Sequence, residues 1–182
     1  MRALRGFSLS LIGLVLAAGF LHAQRAREPL NDQEIDQLRD AALEPEARLK
    51  LYIKFIQARL LAIEQLRSDP KIAADRGQRI HDLLQDVTTL ADELTDNIDT
   101  YSGRADVDQK KMAKPLGAVI EATSDWQLRL RALKQAGDKD PKAAAEAHDY
   151  YFVLDTTIDA VNDLADDARQ TLAEEQSHSK KH

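Results

Sequence analysis

The sequence contains no cysteine among its 182 residues. A disulfide framework, a zinc site built on thiolates, haem attached through paired cysteines, a cysteine nucleophile and a lipid anchor on cysteine are therefore all excluded. Glycine and proline are also scarce, with 7 and 5 residues, and aromatic residues make up 5% of the chain. So few breaking residues favour long regular elements over a domain rich in loops.

The chain also lacks an excess of positive charge, with 25 basic and 31 acidic residues and a net charge of −6. A nucleic-acid-binding protein needs clustered lysine and arginine to displace phosphate counterions, so we expect no nucleic-acid partner. The glycine-rich nucleotide loops, the serine nucleophile elbow and the His-Glu-x-x-His zinc motif are all absent from the sequence. We therefore predict no catalytic residue and no cofactor.

The N-terminal segment has the pattern of a secretory signal peptide. Arg2 and Arg5 precede an apolar run over residues 7–21, and Ala23 supplies a small residue before the predicted cleavage site. Leu21 departs from the small residue usual at the position two before Ala23. Removing residues 1–23 takes away Arg2 and Arg5, so 25 basic residues become 23 against 31 acidic ones, and the charge changes from −6 to −8.

The same segment allows a second interpretation. The 19 residues over 6–24 carry no charge, and about 20 apolar residues are needed to span a bilayer. An uncleaved segment would therefore anchor the protein in the membrane. In both cases the positive N-terminus stays inside and the remaining chain lies outside. The sequence predicts an exported, periplasmic or secreted protein with no membrane contact after cleavage, or alternatively a membrane-anchored one.

Apolar residues recur every three or four positions in four long stretches, the spacing that places them on one face of an α-helix. The predicted long helices cover 45–67, 70–101, 105–136 and 141–175. A short helix up to about residue 42 precedes them, because Asn31 and Glu34 have the spacing of a capping box. No stretch alternates with the period of two that marks a β-strand. The sequence therefore predicts an all-α fold.

The arrangement expected for these helices is an up-down-up-down four-helix bundle. Short connections make neighbouring helices antiparallel, and the short N-terminal helix is expected to close one end. On the second long helix Ile80, Val87, Leu94 and Tyr101 recur every seven residues, as along a bundle seam. A single domain over residues 24–176 and a disordered polar tail over 177–182 follow from this division.

Glycine and proline mark most of the predicted helix boundaries. Pro45 and Pro141 stand at predicted helix starts, and Gly137 lies just past a predicted helix end, where a left-handed cap is common. Gly77 and the segment 114–117, with a proline and a glycine, fall inside predicted helices. We expect a break or a kink at both, or alternatively a third long helix that begins at its proline.

Three consecutive aromatic residues, Tyr150, Tyr151 and Phe152, are the most unusual apolar feature of the predicted fourth long helix. Consecutive residues on a helix point in different directions, so all three cannot face one core stripe. We expect at least one of them to be exposed or at a rim. Exposed aromatic side chains are enriched at protein interfaces, so these residues are the predicted contact site for a protein partner.

Acidic residues on the second and fourth long helices are predicted to face solvent. Among them, Asp155, Asp159 and Asp163 are four residues apart and could form a weak surface for cations. His148 lies just before them. The sequence thus leaves two functions open: a non-enzymatic structural or interaction protein of the cell envelope, or a ligand- or metal-binding bundle that uses His148 and the acidic helix faces.

Overall fold

The computed structural model describes residues 28–69, 71, 75–102, 104, 107, 109–139 and 141–179. The predicted signal peptide, residues 1–23, lies outside the described residues, as do residues 180–182 of the predicted tail. The described part is all-helical and contains no strand, which confirms the predicted all-α fold. Its six helices are α1 Asp32–Asp40, α2 Pro45–Ser68, α3 Arg76–Ser102, α4 Gln109–Lys139, α5 Pro141–Ala147 and α6 Tyr151–Ser179.

The short helix α1 lies along the side of α2. It begins with the predicted capping box, in which the Asn31 side chain accepts a hydrogen bond from the Glu34 N–H and the Glu34 carboxylate accepts one from the Asn31 N–H, both at 3.0 Å. The Glu34 carboxylate also pairs with both terminal nitrogens of Arg59 on α2. Arg59 further donates to the Pro29 carbonyl, and Arg48 on α2 donates to the Leu38 carbonyl near the other end of α1, so α1 is attached to α2 along its length. It does not close an end as expected.

The four long helices pack side by side, and each packs mainly against two others. The packed pairs are α2 with α3, α3 with α6, α6 with α4, and α4 with α2. Two of these pairs are antiparallel, α2 with α3 and α4 with α6, because residue numbers rise along one helix as they fall along the other. Between α2 and α3, Arg48 bonds Asn97 at 2.8 Å and Arg59 lies near the charge of Asp86. Between α4 and α6, the hydrogen bonds are Gln127 to Asn162 at 2.9 Å and Lys134 to Asp155 at 2.5 Å.

The other two pairs, α2 with α4 and α3 with α6, run parallel. Residue numbers rise together in the pairs Glu46 with Lys114 at 3.5 Å, Glu64 with Arg129 at 2.8 Å, Thr88 with Thr157 at 2.9 Å, and Asp99 with Asp167. The packed pairs are thus antiparallel in two cases and parallel in two, and α3 and α4 lie across a diagonal. Six intervening residues reach roughly 20 Å when extended, enough for a diagonal of about 13 Å.

The apolar faces predicted from the sequence form the core. Ile80, Val87, Leu94 and Tyr101 are all buried on α3, which confirms their seven-residue pattern as an inward face. On α4, Trp126 is completely buried in the same hydrophobic core. Since burying one large apolar side chain stabilises a fold by roughly 1.5–3 kcal/mol, these faces hold the helices together without any disulfide.

The prediction of one helix over 141–175 is wrong near its start. The chain forms α5, then a turn over 148–150, then α6, which continues to Ser179. In the turn, the Asp149 and Tyr150 N–H groups donate to carbonyls three residues earlier, at Glu146 and Ala147. These tighter bonds end α5 and redirect the chain, so that α5 packs on α4 and α3.

Two glycines allow close packing between helices at positions where the sequence predicted a helix break or a helix cap. Gly137 lies inside α4, so the predicted cap beyond a helix end is wrong, and a Cβ at Gly137 would lie 3.1 Å from the Ala147 Cβ. Gly77 lies in the first turn of α3, where a Cβ would come within 2.9 Å of the Asp149 Cβ. Helix α4 begins at Gln109 and continues through Pro115 without a break, so the helix neither breaks at this proline nor starts there.

Candidate functional site

The junction between α5 and α6 carries the three consecutive aromatic residues. Tyr150 points into the core and is 3% exposed, whereas Tyr151 is 44% exposed and Phe152 is 86% exposed. This confirms the expectation that they cannot all be buried on one face. Tyr150 ends the turn, and its carbonyl accepts the first helical hydrogen bond of α6, from the Leu154 N–H at 2.9 Å. The turn thereby directs Tyr150 inward and leaves its two neighbours outside.

A shallow recess lies beside the exposed aromatic side chains. Its lining consists of Gly137 on α4, Ala144 and Ala147 on α5, and His148, Tyr151 and Phe152 at the junction. The residues from α4 and α5 have no side-chain atoms beyond Cβ, so this part of the surface is hollow and mostly apolar. We call this surface, with its recess and its two exposed aromatic side chains, the junction surface.

Helix α5 and the turn that follows it are both fixed to the start of α3. The Arg76 guanidinium forms an ion pair with Glu146 at 3.1 Å and donates to the Asp69 carbonyl at 2.8 Å. Asp149 lies directly against Gly77, where only a glycine leaves room for it. Since the Arg76 and Glu146 side chains are 16% and 25% exposed, their ion pair is largely shielded from solvent. The recess is therefore a preformed feature of a packed junction.

An ion pair lies beside the junction surface. Lys134 forms an ion pair with Asp155 at 2.5 Å, and its ammonium lies 5.4 Å from the centre of the Tyr151 ring. The hydrogen bond to Asp155 raises the pKa of Lys134, so this lysine stays charged at neutral pH. Burial raises the pKa of the Tyr150 hydroxyl, with a further contribution from the negative charge of Glu146. The surface thus combines aromatic groups with charges that are already paired.

The predicted cation surface is not gathered into a site with His148. Asp155 is engaged by Lys134, while Asp159 and Asp163 are exposed farther along α6. His148 is exposed in the turn before α6 and lines the recess with apolar groups. Among the described residues, no group of three or more histidine, aspartate or glutamate side chains is placed to hold a metal ion.

Acidic side chains from α3 and α6 instead crowd one another. Burial, followed by the negative charges of Asp96 and Asp163, raises the pKa of the Asp92 carboxyl. Burial also raises the pKa of Asp167, with contributions from Asp99, Asp163 and Asp166. We call this side of α3 and α6 the acidic face; its residues are Asp92, Asp96, Asp99, Asp163, Asp166 and Asp167. The crowding disfavours ionisation of Asp92 and Asp167, while the remaining aspartates make this side of the protein strongly anionic.

A second apolar surface was missed in the sequence. Leu128 on α4 is 66% exposed and lies at the rim of a groove between α2 and α4, whose apolar lining includes Leu60, Ile63 and Leu133. Leu128 lies outside the inward-facing positions of α4, which is a signal that could have identified it. Leu43, in the turn between α1 and α2, is 85% exposed. Neither leucine has an exposed aromatic neighbour comparable to the pair at the junction surface.

Within the described residues, no helix is both long enough and apolar enough to cross a lipid bilayer. The chain matches no protein-family model, and no curated protein and no solved structure is significantly similar to it. The candidate functional site is therefore defined by the geometry of the described residues alone.

Proposed function

We propose that this protein is a non-enzymatic interaction protein of the cell envelope, exported and then folded as an up-down-up-down four-helix bundle. The junction surface is its contact site. The observation that carries this proposal is the 86% exposure of Phe152 next to a preformed apolar recess. A large aromatic side chain held in water on a rigid helix is costly unless a partner covers it, and aromatic residues are the typical anchors of interfaces.

Export is supported by the charged start, the apolar run over 7–21 and Ala23. The mature protein would begin near Gln24, a few residues before the Pro29 carbonyl that Arg59 holds. Sequencing the N-terminus of the protein from its native compartment tests the cleavage. A chain that still begins with Met1 would leave the membrane-anchored alternative.

The contact role is tested by placing a photo-crosslinking amino acid at position 152 in cells that make the protein. The matched control carries the same amino acid at position 43, because Leu43 and Phe152 are 85% and 86% exposed. We expect a defined crosslinked species at position 152 and none at position 43. Absence of any adduct at 152, or the same adducts at both positions, would overturn the proposed contact site.

A further inference from the structure

We infer that the partner at the junction surface is a second copy of this chain, in a symmetric dimer in which Phe152 of each copy enters the recess of the other. This inference rests on the proposed function, because it assumes that the junction surface is a contact site. It adds the identity of the occupant, which the shape and the charge of the surface favour.

The shape of the junction surface is self-complementary. Phe152 is exposed beside a recess whose other lining residues include Gly137, Ala144 and Ala147, which have no side-chain bulk beyond Cβ. In a dimer with two-fold symmetry the same patch meets itself, so a protruding group beside a recess makes the same contact twice. Tyr151, also in the lining, adds a second aromatic contact at the rim.

The charge distribution favours a second copy over a basic partner. Two copies of a chain with a net charge of −6, or −8 after the proposed cleavage, repel each other. Contact through the acidic face would bring aspartates together. Beside the junction surface the ion pairs Lys134 with Asp155 and Arg76 with Glu146 compensate four charges, which leaves Asp149 as the remaining carboxylate of the turn. Like-charged copies can therefore meet there at low electrostatic cost. A basic partner would be drawn to the acidic face instead.

The size of the surface predicts a reversible dimer. Each aromatic side chain buries about 150–250 Å² when it is fully covered. Phe152 and Tyr151 are 86% and 44% exposed in the monomer, so the two copies together would bury roughly 400–650 Å² of aromatic surface. That area lies at the low end of specific interfaces, where association is transient. We therefore expect a monomer–dimer equilibrium that depends on protein concentration.

Sedimentation velocity of the purified protein over a range of concentrations tests this directly. We expect Phe152→Ala to raise the dissociation constant by at least about 30-fold, as removal of an interface anchor does. Leu43→Ala, which removes a side chain of matched exposure elsewhere, should leave the dissociation constant unchanged. A wild-type protein that stays monomeric throughout, or a dimer that Phe152→Ala does not weaken, would overturn the inference.

A mixing experiment separates the proposed geometry from general stickiness. Ala144→Arg fills the recess from an exposed position on α5 and should weaken the dimer as Phe152→Ala does. A mixture of the two variants restores one pair of an intact Phe152 and an intact recess, so the mixture should associate more tightly than either variant alone. Equal association of the mixture and the separate variants would contradict the reciprocal insertion. Circular dichroism of each variant checks that it is folded.

The crosslinking experiment at position 152 distinguishes the two proposals. An adduct with twice the mass of the chain supports both the contact site and the dimer. An adduct with a different protein supports the contact site and overturns the dimer. Absence of an adduct removes the contact site and the dimer together.

Discussion

Replacing Gly77 by alanine tests whether the turn before α6 is seated on α3. The new Cβ would come within 2.9 Å of the Asp149 Cβ and 3.0 Å of its Cγ. These atoms lie close to the backbone, so the turn must move. Forced overpacking of this kind typically costs about 1–3 kcal/mol. It opposes a gain of about 0.5–1 kcal/mol, because alanine is the better helix former.

Gly117→Ala is the matched control, because Gly117 lies in the interior of α4 and a Cβ there meets nothing within 4 Å. We expect that control to stabilise the protein by about 0.5–1 kcal/mol. The difference between the two variants, about 1–3 kcal/mol, then isolates the clash with Asp149.

Urea unfolding followed by circular dichroism measures both free energies of unfolding. Adding Asp149→Gly removes the clashing side-chain atoms, so Gly77→Ala should destabilise that background much less than the wild type. If Gly77→Ala stabilised the protein as much as Gly117→Ala does, the turn would not pack against α3. That result would contradict the conclusion that the recess is preformed.

Three further predictions concern the packing of the helices, and urea unfolding checks each of them. The hydrogen bonds from Arg59 lower the pKa of Glu34, so the ion pair stabilises the fold above the usual carboxyl pKa of 4.5, and this stability is lost as the pH falls through the lower folded-state pKa. Glu34→Gln should therefore lower the free energy of unfolding by about 1–3 kcal/mol at pH 7 and leave it unchanged once Glu34 is protonated. Burial and neighbouring carboxylates raise the pKa of Asp167, so its ionised form destabilises the fold at neutral pH. Asp167→Asn should raise the free energy of unfolding by about a few tenths of a kcal/mol at pH 7, and this gain should vanish at a pH where the carboxyl is protonated in the unfolded chain as well. The buried Thr157 hydroxyl bonds Thr88 at 2.9 Å and the Val153 carbonyl at 2.7 Å, so Thr157→Val should cost about 1 kcal/mol, whereas a neutral result would contradict a role for this contact between α3 and α6.

The helices were predictable because their signals are local. The capping box at Asn31 and Glu34 and the apolar spacing of Ile80, Val87 and Leu94 depend only on neighbours along the chain. The pairing of helices was not predictable in the same way. Which helix lies beside α2 depends on contacts between distant residues, such as Glu64 with Arg129, and periodicity carries no information about them.

The break between α5 and α6 was missed for a similar reason. The stretch around His148 keeps a helical composition, and no proline or glycine marks the turn. Its cause lies elsewhere, where Gly77 and Gly137 leave room for Asp149 and Ala147 to pack closely. The exposure of at least one of three consecutive aromatic residues followed from helix geometry, but the recess beside them required the position of α5.

Because the chain has no cysteine, one introduced thiol reports on one position and gives the most direct test of the contact surface. Ala144→Cys places the thiol in the recess, and Leu43→Cys places it on an exposed turn remote in sequence. In dilute purified protein both thiols should react readily with a maleimide. In cells that make the protein, we expect the thiol at 144 to react several times more slowly than in dilute solution, with the thiol at 43 unchanged. Equal reactivity of the thiol at 144 in both settings would contradict the claim that a partner covers the junction surface.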